Sequence, residues 1–202
     1  FTGSDGRTYR ESIDGAEEAI RLAASMQAGA LIVYSGSRHL HTHNHAKRLL
    51  RGALMDLAPI AEDMEVTLAL EPMHPDCADE WTILTSLSDT VETLDAIGSP
   101  RLKVAFDTYH FGQEPDVAQA IAALADRVAV VHLADGKGMP KREQNRCPIG
   151  EGNLPLKQIV EALSDAGYDG DYDVELIGED IEHGDYQTLL TQSKRAFEEL
   201  TA

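Results

Sequence analysis

The chain has 202 residues, 43% of them apolar and 26% charged, enough to bury a full hydrophobic core and most simply one domain over residues 1–202. Thirty-five acidic residues against seventeen Lys and Arg give a formal charge of −18, which repels a nucleic-acid backbone and leaves either a solvated acidic surface or a negative cleft that attracts a divalent cation. No run of 18 apolar residues is available to cross a bilayer, the opening FTGSDGRTYR lacks the basic-then-apolar layout of a secretion signal, and Cys77 and Cys147 are too few for a disulfide framework, so a cytoplasmic chain with reduced thiols is expected.

Apolar, β-branched runs alternate with stretches of helical period, the pattern of βαβ units around a parallel sheet. In chain order the pattern predicts a helix over 14–28, a strand over 30–36 (ALIVYSG), a helix over 45–64 and a strand over 65–72 (EVTLALEP). A helix over 88–98, a strand over 102–110 (LKVAFDTYH), a helix over 114–127 and a strand over 127–135 (RVAVVHLAD) follow. The last elements are a helix over 154–167, a strand over 171–178 (DYDVELIG) and a helix over 185–200. Between the first strand and its helix, HLHTHNH packs four of the eight histidines into residues 39–45. There it can be a solvated loop, a substrate contact or a metal tract.

The charged residues decide between architectures, because a charge inside a buried parallel strand is costly unless the strand opens into solvent there. Glu71, Asp107, His132 and Glu175 each fall late in an otherwise apolar strand. In a (β/α)8 barrel, groups from the carboxyl ends of several strands converge on one face, and Glu, Asp, His and Glu would make a divalent-metal site. Period-two parity agrees: Thr67 and Ala69 share a face with Glu71, while Val66, Leu68 and Leu70 point the other way. An open doubly wound sheet would usually carry a glycine-rich phosphate loop after its first strand, and neither GxGxxG nor GxxxxGK[ST] is present.

LALEPMHP, VAFDTYHFG, VVHLAD, NRCPIGEG and GYDGDYDVEL, in that order, resemble the xylose isomerase-like TIM barrels of the sugar phosphate isomerase/epimerase superfamily over roughly residues 30 to 200. The resemblance implies an α/β, TIM (β/α)8-type barrel that is incomplete here: the five strands correspond to the fourth to eighth, and the first three are missing. A chain that begins at Phe1 is then expected to be a fragment whose open edges either are covered by another chain, with a homo-oligomer as one solution, or stay aggregation-prone. It further implies one divalent ion, Mn²⁺, Mg²⁺, Co²⁺ or Zn²⁺, held by Glu71, Asp107, His132 and Glu175. His110, three residues after the Asp, and Arg146, ahead of Gly150 and Gly152, correspond to substrate contacts. His74 follows Glu71 by three residues and faces the same mouth or serves as a turn histidine.

Isomerising or epimerising a ketose means removing a weakly acidic C–H proton and returning it to a neighbouring carbon or the opposite face. Two carboxylates, Glu71 and Glu175, suit that task beside a metal that stabilises the enediolate. The resemblance also separates rival chemistries. Three-zinc apurinic-site endonucleases carry Asp-Arg-His where this chain has Asn145, Arg146 and Cys147, and Asn is a poor zinc ligand. Several ketose 3-epimerases have a second glutamate where Cys77 stands, with Asp76, Asp79 and Glu80 as possible substitutes. The expected activity is therefore a metal-dependent isomerase or epimerase acting on a free or phosphorylated sugar, with no nucleic-acid or membrane partner. An inosose dehydratase-like lyase and a non-catalytic metal- or sugar-binding remnant are the alternatives.

Overall fold

The computed structural model describes residues 1–201, the side chain of Asp180 excepted. Two units are formed, Phe1–Ala105 and Phe106–Ala202. The first begins with a reciprocal cap: the Thr8 hydroxyl accepts from Glu11 N, and the Glu11 carboxylate accepts from Thr8 N at 2.8 Å. This cap starts helix α1 (Tyr9–Ser25) five residues ahead of the apolar period. Strand β1 (Ala30–Val33) and helix α2 (His43–Asp63) follow. Helix α2 buries Ala46, Leu50, Ala53, Leu54, Leu57 and Ala61, a spacing of three and four that makes one apolar face. Next come β2 (Thr67–Leu70), the single turn α3 (Pro75–Ala78), α4 (Leu87–Asp95) and β3 (Leu102–Asp107), whose first four residues belong to this unit.

β1 runs parallel to β2 with Ala30 opposite Thr67 and Ile32 opposite Ala69, and β2 runs parallel to β3 with Ala69 opposite Lys103. Partners in register point to the same side, so Ala30, Ile32, Thr67, Ala69, Lys103 and Ala105 share one face. The other face carries Leu68, Leu70, Leu102 and Val104, all buried, and α2 packs against β2. The parity expected for Thr67 and Ala69 therefore holds. α1 and α2 both turn into their strands through a residue in the left-handed region, Gln27 and Glu65, each at φ 57°. The next amide reaches back into the helix, Ala28 N to Ala23 O at 2.9 Å and Val66 N to Ala61 O at 3.0 Å, which satisfies carbonyls the helix end would leave bare.

The second unit holds the end of β3, the turn α5 (Thr108–Phe111), α6 (Val117–Ala122), β4 (Val128–Leu133), α7 (Leu156–Asp165), β5 (Asp171–Val174), the turn α8 (Glu179–Glu182) and α9 (Tyr186–Leu200). β4 pairs in parallel with β5, His132 opposite Asp173, so His132 shares a face with Asp171, Asp173 and Glu175. The opposite face buries Leu133 with Ile149, Leu154, Leu156 and Val160, and Tyr172, Val174 and Phe197 pack against that cluster.

Several elements besides α1 differ from the sequence pattern, β1 and β2 being shorter than the runs that predict them. The predicted strand over 102–110 stops at Asp107, because its carboxylate accepts Tyr109 N at 2.6 Å and turns the next four residues into α5. The predicted helix over 114–127 is shorter and divides into α6 and a 3-10 turn, Ala125–Arg127. The strand over 171–178 ends at Val174. Glu175 nevertheless makes a last rung, its N donating to Leu133 O at 3.2 Å, and Glu71 N does the same with Val33 O at 3.2 Å just beyond β2. Both glutamates thus sit where a strand stops but its hydrogen bonding still holds the backbone. Among the described residues no helix is long and apolar enough to cross a membrane.

Candidate metal centre

Within Phe106–Ala202 three of the sequence-predicted ligands come together. Asp107 ends β3, His132 is the penultimate residue of β4 and Glu175 follows β5. The β3 end is tied to the segment after β4 through Thr108, whose hydroxyl donates to Ala134 O at 2.7 Å and accepts from Ala134 N at 2.9 Å. One ligand atom from each of Asp107, His132 and Glu175 lies within 4.8 Å of the others. Asp107 is fully buried, while the Glu175 side chain keeps 26% of its surface. Two carboxylates at this separation, out of bulk water, repel each other unless a cation lies nearby. Two hard oxygens and one imidazole nitrogen suit the borderline divalent metals, so the donor set fits such an ion.

Arg146 supplies positive charge at the same place. Its Nη2 donates to Asp107 Oδ2 at 2.5 Å and to Glu175 Oε2 at 3.3 Å, and its side chain is 1% exposed. The guanidinium also lies 4.8 Å from the centre of the Tyr109 ring, a cation–π distance. His132 Nδ1 is 3.2 Å from Glu175 Oε2, and His110 Nε2 is 3.7 Å from Asp107 Oδ2. Burial pushes the Glu175 carboxyl up, but the His132 hydrogen bond and the charges of Arg146, His132 and His110 outweigh it and hold the group below the usual glutamate range. Glu175 is therefore ionised at neutral pH.

The loop carrying Arg146 is organised by Asp135. Its Oδ1 accepts Gly136 N at 2.8 Å and Leu154 N at 3.1 Å, and its Oδ2 accepts Gly150 N at 3.1 Å. Its backbone forms an antiparallel bridge with Cys147, the residue after Arg146. Gly152 is required here, since a Cβ at that position would lie 2.1 Å from Asp135 Oδ1. Asn145 Oδ1 accepts Glu179 N at 3.2 Å, so its carbonyl oxygen is used in joining the loop to α8. The contact that periodicity missed is Tyr109 beneath Arg146. DTYH was a signal for Asp107 and His110, yet nothing in its spacing indicated that the intervening ring would meet the guanidinium.

In Phe1–Ala105, Glu71 is 1% exposed at the end of β2. His74 caps α3, its Nδ1 accepting Asp76 N at 3.3 Å, which is the turn role weighed from sequence. Cys77 is buried in α3, whereas Asp76, Asp79 and Glu80 are exposed. HLHTHNH is loop only as far as Thr42, which caps α2 by accepting His45 N; His43 and His45 are helical. His41 and His45 stack with ring centres 4.6 Å apart, and His41 Nε2 lies 3.1 Å from Thr2 O. Among the described residues these histidines form no three-ligand group. Both cysteines are buried.

A family model described as xylose isomerase-like TIM barrel matches residues 1–199. The chain belongs to that family. Among the described residues there are five strands, fewer than the eight that close a TIM barrel, and the chain carries part of that fold. It is 34% identical over 118 residues to a D-psicose 3-epimerase of Enterocloster bolteae, covering 58% of this chain and 36% of that protein. It is 30% identical over 175 residues to a fructoselysine 3-epimerase of Shigella flexneri, covering 86% of this chain and 61% of the relative. The chain thus spans between about a third and three fifths of these relatives' length. The crystal structure of a Sinorhizobium meliloti 1021 protein superposes with a TM-score of 0.86 at 24% identity, over 95% of this chain and 71% of the other, a likeness of fold.

Proposed function

We propose that this xylose isomerase-like chain is the ligand-bearing part of a divalent-metal-dependent sugar isomerase or epimerase. In this reading Glu71, Asp107, His132 and Glu175 hold one Mn²⁺, Mg²⁺, Co²⁺ or Zn²⁺ ion. The observation that carries it is the meeting of Asp107, His132 and Glu175 donor atoms within 4.8 Å at strand ends. Glu71 takes the fourth place because it too is a buried carboxylate following an apolar parallel strand. The two relatives named as 3-epimerases favour inversion beside a ketose carbonyl, although Cys77 stands where the resemblance expects a second glutamate. The same reading gives a small-molecule sugar as substrate and a cytoplasmic setting, and the charge of −18 weighs against nucleic acid.

Bound there, the cation would supply Lewis-acid polarisation of the sugar carbonyl. Glu71 and Glu175 form the proton-moving pair, one as carboxylate removing the proton from the carbon beside the carbonyl and keeping it, the other in its acid form delivering its own proton to the opposite face. Glu175 is ionised near neutrality, the state a base needs. Arg146 holds the Asp107 and Glu175 carboxylates in one orientation and offsets their repulsion, while His110, Arg146 and His74 are the side chains assigned to substrate hydroxyls.

Chelator-stripped protein titrated with Co²⁺, read by visible absorption, tests the site. One ion per chain is expected, and Glu175→Gln should weaken binding by about ten-fold or more, abolish ketose turnover, and change the unfolding free energy measured in urea by less than about 1 kcal/mol. Retained turnover removes Glu175 from the mechanism. Conserved product mass indicates isomerisation, and loss of water indicates a lyase.

A further inference from the structure

Arg146 has a long side chain with a planar, charged head, and such a side chain keeps one position only where several contacts fix it. Its backbone is fixed, since Arg146 N donates to Ile177 O at 2.8 Å and the next residue, Cys147, bridges Asp135. Its head is fixed within the guanidinium plane, where Nη2 donates to Asp107 at 2.5 Å and to Glu175 at 3.3 Å, and Nη1 donates to Gln144 Oε1 at 3.4 Å. Hydrogen bonds in that plane leave the face of the group unsupported. Tyr109 supplies the support: the guanidinium carbon lies over its ring, 4.8 Å from the centre. The ring is itself held. Tyr109 is 5% exposed, its N donates to Asp107 Oδ1 at 2.6 Å, and its hydroxyl accepts Lys141 N, from the loop that carries Arg146, at 3.3 Å. One residue thus touches a proposed ligand, the loop, and the cation that bridges two proposed ligands.

We propose that Tyr109 is a positioning residue of this centre: the negative face of its ring sets where the Arg146 guanidinium lies, and the guanidinium in turn orients the Asp107 and Glu175 carboxylates for the divalent ion. The inference rests on the metal-dependent reading and deepens it, by adding a side chain that is not one of the four donors. The Arg146 side chain is 1% exposed, and the attraction of a cation to a ring face is strongest where both are out of water. A ring that only filled space would be replaced without loss by an apolar group of its size. A ring that holds a cation depends instead on the electron density over its face.

The test varies that density at nearly constant shape. Phenylalanine and its mono-, di- and trifluoro derivatives are placed at position 109 of the full chain, beside Tyr109→Leu, because fluorine is close to hydrogen in size and draws electrons from the ring face. Two quantities are read: solvent exchange of the Arg146 Nε proton by NMR in chelator-stripped protein, its signal identified by loss in Arg146→Lys, and Co²⁺ affinity by visible absorption. From phenylalanine to the trifluoro ring, exchange should quicken stepwise by about ten-fold in all. Co²⁺ binding should weaken in the same order by about ten-fold, the scale of groups that support metal ligands from behind, and Tyr109→Leu should be shifted at least as far. Equal values across the fluorine series with a deficit in Tyr109→Leu alone make the ring a filler and overturn the proposal, as do wild-type values in Tyr109→Leu. Exchange that follows the series in a chain that binds no Co²⁺ keeps the hold of Tyr109 on Arg146 and rejects the metal reading. Tight Co²⁺ binding that ignores the series does the reverse.

Discussion

Replacing Asp135 by Asn exposes how much of the site depends on one carboxylate outside the proposed ligand set. Oδ1 and Oδ2 together accept three backbone N–H groups, from Gly136, Leu154 and Gly150, and Asp135 is 3% exposed. The Asn oxygen can keep the two donors that share Oδ1, but its NH2 then faces Gly150 N–H, donor against donor. One charge-assisted bond is lost and two become neutral, so the cost is about 3–4 kcal/mol. For a chain of this length that is about 10 °C in melting temperature. Urea unfolding followed by circular dichroism measures it, with Asp135→Asn compared to wild type at neutral pH. Because the Asp135 backbone bridges Cys147, beside Arg146, the variant should also weaken Co²⁺ binding while the proposed ligands are untouched. A loss of unfolding free energy below about 1 kcal/mol with unchanged Co²⁺ affinity would refute the claim that this carboxylate organises the loop.

Gly152→Ala should be at least as damaging, because its Cβ would fall 2.1 Å from Asp135 Oδ1 and 2.6 Å from Gly136 O, the latter a backbone atom; a wild-type urea midpoint would contradict this. Alkaline pH should destabilise the second unit through Tyr168, whose pKa is raised chiefly by burial and then by Tyr172, Asp171 and Asp169. The neutral phenol is favoured in the folded state, so its contribution is complete below the unfolded value of about 10 and is lost as pH rises through the higher folded value. Tyr168→Phe should therefore lose less stability than wild type between about pH 9 and 11, in urea midpoints taken at each pH, and parallel curves would count against it.

Much of the architecture was legible because periodicity is a local property. Alternation within VTLALE and VAVVHL placed the strands, and the late position of Glu71, Asp107, His132 and Glu175 in apolar runs marked strand ends before any coordinates. TYRE, residues 8–11, already spelled the capping box that begins α1 ahead of its apolar period. The histidine tract shows the converse: its alternation suggested an extended ligand array, but Thr42 caps a helix there, and a local hydrogen bond overrides the period-two spacing.

The sequence by itself determined the order of elements, the parity of the strands and the identity of the four acidic and imidazole residues at their ends. Only the tertiary structure decided that Arg146 turns inward to Asp107 and Glu175, that Tyr109 lies beneath it, and that Asp135 binds backbone amides. The reason is physical: strand and helix patterns report which side a residue faces. The partners of a buried guanidinium or carboxylate are set by where a long loop returns, through contacts between residues that no local spacing relates.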